Sequence, residues 1–346
     1  MIEKTIHIGP AFDGGMGSVI QGYIKLLGLP KENVWNSYKN GFIKSLPRLF
    51  AICFKILFRT PKNIICYHIH IADDGSLPRK LIIALCLKSR NKKFIVHLHG
   101  SKFQEHSSQI LFVKLLARLS NAVVCITEQM KKFLEKENLN CRIFVIPNFC
   151  ETIAKNPMDL EKHNNPVKVV FAGRYMQRKG VYDLLTAFEK ANFDFPARLD
   201  LFGDCEEEKV RKIAKNSMKK DCINVSYWIE HSEYLKKLPD YDFLVLPSHI
   251  EVFPMSILEA MGVGLPVIGT FVGGIPEMIE NNKNGVLFEA RNIDELINAL
   301  EKLVNNLELR TELGKNAWID AKARFSPEII LKKLEDVYEK ITMPNL

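Results

Sequence analysis

The dominant pattern along the chain is a short apolar, β-branched run ending in Gly, His, Asp or Pro, followed by a longer stretch with helical spacing. In the first half these runs predict strands at Thr5–Ile8, Ile64–Ile71, Phe94–Leu98, Ala122–Thr127 and Ile143–Ile146. In the second half they predict Val167–Ala172, Arg198–Phe202, Ile223–Tyr227, Phe243–Leu246, Pro266–Gly269 and Val286–Phe288. Helical spacing predicts helices over Val181–Ala191, Glu206–Met218, Met255–Met261 and Ile293–Asn305. Ser326 followed by Pro327 is a good start for a last amphipathic helix running to Ile341. Near-continuous apolar strands alternating with helices mean parallel sheets covered on both faces. The series restarts after the polar stretch 151–166, so the expected class is α/β with two doubly wound, Rossmann-like domains, over 1–152 and 166–326. The helix at 327–346 is expected to pack back on the first domain. Ligands of such domains bind outside the carboxyl ends of the strands, which makes a cleft faced by both domains the expected active site.

Composition narrows the class. With 47% hydrophobic and 25% charged residues, the chain is neither disordered nor fibrous. No apolar run approaches the roughly 18–20 residues that span a bilayer, and the N-terminus, with Glu3 and Lys4, has no signal-peptide core. Eight cysteines without a C-x-x-C pair point to a reducing compartment. A cytoplasmic protein is expected.

The charge is uneven. Residues 1–150 hold 22 Lys/Arg against 9 Asp/Glu, while the remainder is net acidic, so the first domain is expected to meet an anionic partner. Residues 33–72 contain no Asp or Glu, but do contain Lys39, Lys44, Arg48, Lys55, Arg59 and Lys62. Phe50, Phe54, Leu57 and Phe58 recur among them at helical spacing. A basic, aromatic, amphipathic segment over 42–62 suits either an anionic membrane surface or a core-facing helix with a solvated basic side. Spread-out basic residues, with no RNA-binding aromatic signature and no helix-turn-helix pattern, argue against nucleic acid.

Four constellations carry candidate chemistry. Gly173-Arg174 follows an apolar strand, and Arg178-Lys179-Gly180 opens the next helix. A guanidinium and an ammonium beside a helix N-terminus suit a diphosphate, or form a solvated basic turn. Next, Glu251 in a loop and Glu259 in the following helix enclose Phe253-Pro254-Met255-Ser256. Their carboxylates can accept hydrogen bonds from sugar or ribose hydroxyls, and the Phe253–Ser256 backbone can meet phosphate or sugar oxygens. Third, Gly14-Gly15-Met16-Gly17-Ser18 follows the first strand as a glycine loop that a ligand could approach closely, though it fits neither a dinucleotide fingerprint nor a P-loop. Fourth, His68/His70 and His97/His99 are H-x-H pairs whose period-2 spacing puts each pair on one sheet face. No accompanying Cys or carboxylate completes a metal-ligand pattern. His99, followed by Gly100-Ser101, is the one best placed to reach substrate.

Together these segments resemble the retaining, GT-B-fold glycosyltransferases of family 4. The resemblance runs from about residue 5 to 340 and includes Gly14–Ser18, His99-Gly100, Ile146-Pro147-Asn148, Gly173-Arg174 through Lys179-Gly180, Gly203-Asp204, the Glu251-to-Glu259 spacing and Gly273-Gly274-Ile275-Pro276-Glu277. Three positions depart from it: Val252, Cys205 and Phe149 stand where glycine is common.

The resemblance implies two Rossmann-like domains facing a central cleft, the first binding the acceptor and the second the nucleotide-sugar donor. It implies a retaining hexosyl- or N-acetylhexosaminyl-transferase that uses the nucleotide-sugar as substrate and needs neither cofactor nor metal. Arg174 and Lys179 would hold the donor diphosphate, with Gly173 at the same turn. Glu259 would bind ribose, Glu251 would face the donor sugar, and the Phe253–Ser256 backbone would contact sugar and phosphate. Gly15, Met16 and Gly17 would approach the diphosphate or the acceptor, and His99 would lie near the reacting centre. The acceptor would be a glycan hydroxyl, lipid-linked, as in polysaccharide, O-antigen, capsule or glycolipid assembly, which would put the enzyme on the inner face of the cell membrane. The competing expectations are a nucleotide-sugar epimerase or phosphorylase of the same architecture, a pseudoenzyme that binds donor without turnover, and a non-catalytic basic binding protein.

Overall fold

The computed structural model describes residues 2–10, 14–39, 42–61, 63–71, 76–100, 107–155 and 165–342. The chain divides into two compact units, Met1–Asn148 with Pro327–Leu346, and Phe149–Ser326.

The first unit contains strands β1 (Thr5–Gly9), β2 (Val34–Asn36), β3 (Cys66–Ile71), β4 (Phe94–Leu98), β5 (Ala122–Cys125) and β6 (Arg142–Val145). They form a six-stranded parallel sheet in the order β2-β1-β3-β4-β5-β6. Its helices are α1 (Gly14–Leu26), α2 (Phe42–Phe58), α3 (Ser76–Ser89), α4 (Ser107–Leu119) and α5 (Glu128–Lys136). Every residue of β1, β3, β4 and β5 is buried, as expected of strands sandwiched between helices. The strand predicted to reach Thr127 stops at Cys125, because the Thr127 hydroxyl accepts from Met130 N (3.0 Å) and caps α5. The strand β2 escaped sequence reading: at three residues it is too short to show a period.

The second unit contains β7 (Val167–Ala172), β8 (Ala197–Gly203), β9 (Ile223–Tyr227), β10 (Phe243–Leu246), β11 (Val267–Thr270) and β12 (Gly285–Phe288). These form a parallel sheet in the order β12-β11-β10-β7-β8-β9. Its helices are α6 (Val181–Lys190), α7 (Glu207–Asn216), α8 (His231–Lys237), α9 (Met255–Gly262), α10 (Ile275–Met278), α11 (Ile293–Val304) and α12 (Leu307–Phe325). The chain enters this unit at Phe149, ahead of the expected boundary near 152, because the segment after Asn148 is tied to α9 and α12. Cys150 N donates to Phe325 O (2.9 Å), Ala154 N to Gly262 O (2.9 Å) and the Trp318 indole to Ala154 O (2.9 Å). A Cβ on Gly262 would lie 2.5 Å from the backbone oxygen of Thr152 as well as 2.2 Å from Cys150 Sγ, so this close approach of backbone requires glycine. Of the expected linker 151–166, residues 156–164 lie outside the described residues.

After Ser326 the chain returns to the first unit as α13 (Pro327–Thr342). Its apolar face, Ile330, Leu334, Val337, Tyr338 and Ile341, is buried. Lys93 Nζ donates to Thr342 O and Arg142 to Lys340 O, both at 2.8 Å, so two cations satisfy the last carbonyls of the helix. Among the described residues no helix is long and apolar enough to cross a membrane.

In each sheet the chain first winds one way from a central strand and then reverses. The reversal lies between β1 and β3 in the first unit and between β7 and β10 in the second. A crevice outside the carboxyl ends at such a switch point is where open α/β sheets bind ligands.

Candidate functional site

In the second unit the sequence motifs converge on that switch point. β7 ends at Ala172, and Gly173-Arg174 follows; β10 ends at Leu246, and the loop Pro247–Pro254 leads into α9. A single turn of 3-10 helix, Gln177–Lys179, carries Lys179, and Gly180 ends it in the left-handed region (φ 70°). A Cβ on Gly180 would lie 1.9 Å from Pro247 O, so glycine is required both by its conformation and by the approach of the second loop. The two loops are also braced by hydrogen bonds. His249 N donates to Arg178 O (2.8 Å), and His249 Nε2 pairs with Asp183 Oδ2 on α6 (2.6 Å).

This bracing brings Lys179 Nζ to Glu251, where it donates to Oε1, and Ser248 Oγ donates to the same oxygen (3.4 Å). The glycine pair after β11 supports the loop from the other side. Gly273, also at positive φ, approaches Glu251 O so closely that a Cβ would lie 1.9 Å away, and Gly274 N donates to Val252 O (2.8 Å). Glu259, on α9, is buried and bonded to His231 Nε2 (2.7 Å).

Arg174 stands apart from the pair. Its side chain is exposed, with Nε 3.7 Å from Asp204 Oδ1. The next residue, Cys205, has φ 85°. That explains why glycine suits this position, since an L residue in the left-handed region costs about 1–2 kcal/mol. Phe149 and Val252, the other two departures, have no positive φ.

The helix α9 starts at Met255, as expected, with Pro254 (φ −71°, ψ 128°) as the cap before it. The Phe253 ring is buried edge-on against Phe325 (5.7 Å between centroids), so only its backbone faces the loop. Met255 and Ser256 form the first turn, where backbone N–H groups lack partners inside the helix.

In the first unit, Gly14–Ser18 is not a loop. It is the first turn of α1, whose buried Val19, Ile20 and Tyr23 anchor the helix from Gly14 onward. The side chains at 14–18, Met16 among them, lie outside the described residues. His99 directly follows β4; its N donates to Ile71 O (2.9 Å), and its Nε2 is hydrogen-bonded to His70 Nδ1 (2.9 Å). Burial lowers the His99 pKa to about 3, so the ring is neutral.

The H-x-H pairs do share a face, joined by His7 from β1, which is in register with His68, while His70 is in register with His97. Ligand atoms of His7, His68 and His70, and of His70, His97 and His99, lie within 4.8 Å of one another. The His68 and His70 rings are stacked 11° from parallel, however, and the nitrogens bond to each other in sequence rather than aiming at one point. His7, His231 and the Asp183–His249 pair were missed by sequence reasoning. Only His7 left a signal, as another histidine inside an apolar strand.

Comparison with known proteins bears on this arrangement. The glycosyl transferases group 1 family model matches residues 152–318. An uncharacterized glycosyltransferase of Methanocaldococcus jannaschii is 30% identical over 323 residues, covering 89% of this chain and 87% of the relative. A capsular polysaccharide biosynthesis glycosyltransferase of Staphylococcus aureus, CapM, is 26% identical over 51% of this chain and 46% of its own length. In fold, Anabaena HepE, solved in complex with UDP, superposes with a TM-score of 0.78 at 16% identity over 97% of this chain and 100% of its own. The near-full-length kinship to a glycosyltransferase, with the family model falling on the unit that holds Lys179, Glu251 and Glu259, makes this chain a member of the group 1 glycosyl transferases.

Proposed function

We propose that the chain moves a hexosyl or N-acetylhexosaminyl group, with retention and without a metal, from a nucleoside-diphosphate sugar to a hydroxyl of a lipid-linked glycan. The carrying observation is the Lys179–Glu251 pair, cross-braced at the switch point of the second sheet. Lys179 and Arg174 supply fixed positive charge for the diphosphate that leaves as the glycosidic bond breaks. That charge does the work a divalent cation performs elsewhere. Glu251, bonded to Lys179 and Ser248, accepts from donor-sugar hydroxyls, Glu259 binds ribose and Met255–Ser256 present backbone N–H groups. His99 is the first unit's catalytic residue, and Gly15–Gly17 lie where a helix N-terminus suits an anion. HepE binding UDP and CapM acting in capsular polysaccharide biosynthesis support the donor class and the glycan acceptor.

A thermal-shift panel of nucleoside diphosphates and nucleotide-sugars tests the donor site. A ligand at about 100 times its Kd stabilises the native state by about 2.7 kcal/mol. Glu259→Ala should abolish the shift for every donor. A full shift in that variant removes the ribose assignment.

We further read the first unit as resting on anionic lipid at the inner face of the cell membrane. In α2 the residues Leu49, Ile52 and Ile56 fill the core, while Phe50 (70% exposed), Phe54 and Phe58 (72%) point outward. The aromatic stripe is therefore not the core face. Ile82 and Leu85 of α3 and Leu111 and Leu115 of α4 are exposed as well, and these three helices contain no Asp or Glu. Phe42 and Lys62, at the ends of the expected segment, lie outside the described side chains. An apolar surface with basic and no acidic residues fits phosphate headgroups above acyl chains. Pelleting should require anionic vesicles and weaken with salt, and Phe50→Ser/Phe58→Ser should reduce it at least tenfold. Equal pelleting on neutral vesicles removes the electrostatic part.

A further inference from the structure

His99 is the end of a hydrogen-bonded chain that runs through the first unit. His97 Nδ1 meets His68 Nε2 (3.0 Å), and His68 Nδ1 meets the Tyr338 hydroxyl (2.7 Å). The same hydroxyl meets His7 Nε2 (3.3 Å), His7 Nδ1 meets His70 Nε2 (3.0 Å), and His70 Nδ1 meets His99 Nε2 (2.9 Å). His7, His68, His70, His97 and Tyr338 are all 0% exposed. Three strands and the returning helix α13 therefore contribute to one continuous chain.

Such a chain restricts its own protons. A neutral imidazole has one N–H and one lone pair, and a phenol has one proton to give. Burial, reinforced by neighbouring histidines, holds the inner rings neutral. Each link then contains one proton, and every link must point the same way, because a reversed link would leave two donors or two lone pairs facing each other at about 3 Å. The Thr5 hydroxyl also bonds to Tyr338, and its lowering of the phenol pKa marks Thr5 as the donor; with that bond in place, two proton orders satisfy every link. One leaves His99 with Nε2–H given to His70 and a lone pair at Nδ1; the other leaves an N–H at Nδ1. Toward a sugar hydroxyl these are opposite groups, an acceptor and a donor.

We propose that Tyr338, His7 and His70 are positioning residues that hold His99 in a single neutral tautomer, with Nδ1 unprotonated and able to accept a hydrogen bond from substrate. This deepens, and rests on, the reading of His99 as the first unit's catalytic residue. The order follows from the two ends of the chain. Among the described residues no side chain bonds His97 Nε2, at the buried end; because Nδ1 is engaged with His68, the backbone hydrogen bond from the ring to Ile146 falls to Nε2 and favours a proton there. A proton on that nitrogen makes His97 Nδ1 an acceptor, and each donor then points away from His99. At the other end, His99 Nδ1 has no partner among the described residues. The shortest link, at Tyr338, fits a phenol donating to His68.

The test is a long-range 15N–1H correlation spectrum of histidine-labelled protein near pH 7.5, with His99 assigned by His99→Gln. Wild type should show one His99 tautomer with protonated Nε2. Tyr338→Phe keeps the ring and cuts the chain, and His7→Asn cuts it at a second joint. Either should give a mixture of both His99 tautomers and lower kcat about tenfold, the order expected when one hydrogen bond to the reacting group is lost, with donor KM within twofold. Leu334→Ala loosens the same helix without touching the chain and should leave His99 unchanged. A single, unaltered His99 tautomer in both cut variants overturns the relay. Wild-type turnover in His99→Gln would overturn the catalytic reading of His99 instead, while the tautomer measurement would still decide the relay.

Discussion

Between pH 7.5 and 5.5 the first unit is expected to lose about 5 kcal/mol of stability. His7, His68, His70 and His97 are fully buried. Burial drives the His7 pKa to about 3 and holds the other three well below the ordinary value, with like-charge neighbours adding to the shift. In the unfolded chain each titrates near pH 6.5. Below that pH the unfolded state takes up protons the native state refuses, so stability is complete above pH 6.5 and falls as pH drops toward the native pKa values. Each ring costs about 1.4 kcal/mol per pH unit in that window, and four of them over one unit approach the total stability of a typical domain, about 5–15 kcal/mol. Trp35 is the buried tryptophan of this unit. Its fluorescence in a Trp228→Phe/Trp318→Phe background isolates the unit in urea titrations. A midpoint unchanged at pH 5.5 would mean that the histidine chain accepts protons without opening.

How much of this was legible in the sequence depends on the range of the interaction. Strands such as Val167–Ala172 and Phe243–Leu246 announce themselves because burial on both faces leaves only apolar residues along a continuous run. Gly180 and Gly273 are visible as glycines beside chemistry-bearing residues, but the reason for each, the carbonyl of Pro247 or of Glu251 at van der Waals contact, comes from a loop about 20 or more residues away in the chain. His231 meets Glu259 across 28 residues, and His7 meets Tyr338 across 331. No local period encodes such pairs. The first turn of α1 was misread for a different reason. Glycines usually break helices, and here the buried residues downstream outweigh that propensity. The Phe50–Phe58 stripe shows the limit of periodicity itself. Spacing identifies a helix with an apolar face, but α2 has apolar residues on two faces, and only burial distinguishes the Leu49–Ile52–Ile56 core side from the exposed aromatic one.

Lys179→Ala and Arg174→Ala are each expected to lower kcat/KM by about 100- to 1,000-fold, the usual effect of removing one preorganised charge donor from a developing anion. In stability the two variants should diverge. The Lys179 and Glu251 side chains are 17% and 9% exposed, and deleting the ammonium leaves the Glu251 carboxylate buried and uncompensated. Breaking a buried pair from one side costs about 3–5 kcal/mol. Arg174, 56% exposed and 3.7 Å from Asp204, forms a surface pair that contributes no more than about 1 kcal/mol. Lys179→Ala should therefore lower the melting temperature and Arg174→Ala should not, although both lose turnover. The double variant Lys179→Ala/Glu251→Gln removes the orphaned charge as well as its partner, so it should recover most of the melting temperature and none of the activity. Measured against Glu251→Gln alone, the double variant separates the two roles of Lys179, since a lysine that served only to neutralise Glu251 would cost no further turnover once the carboxylate is gone. Turnover within tenfold of wild type in either single variant would take that residue out of the diphosphate site.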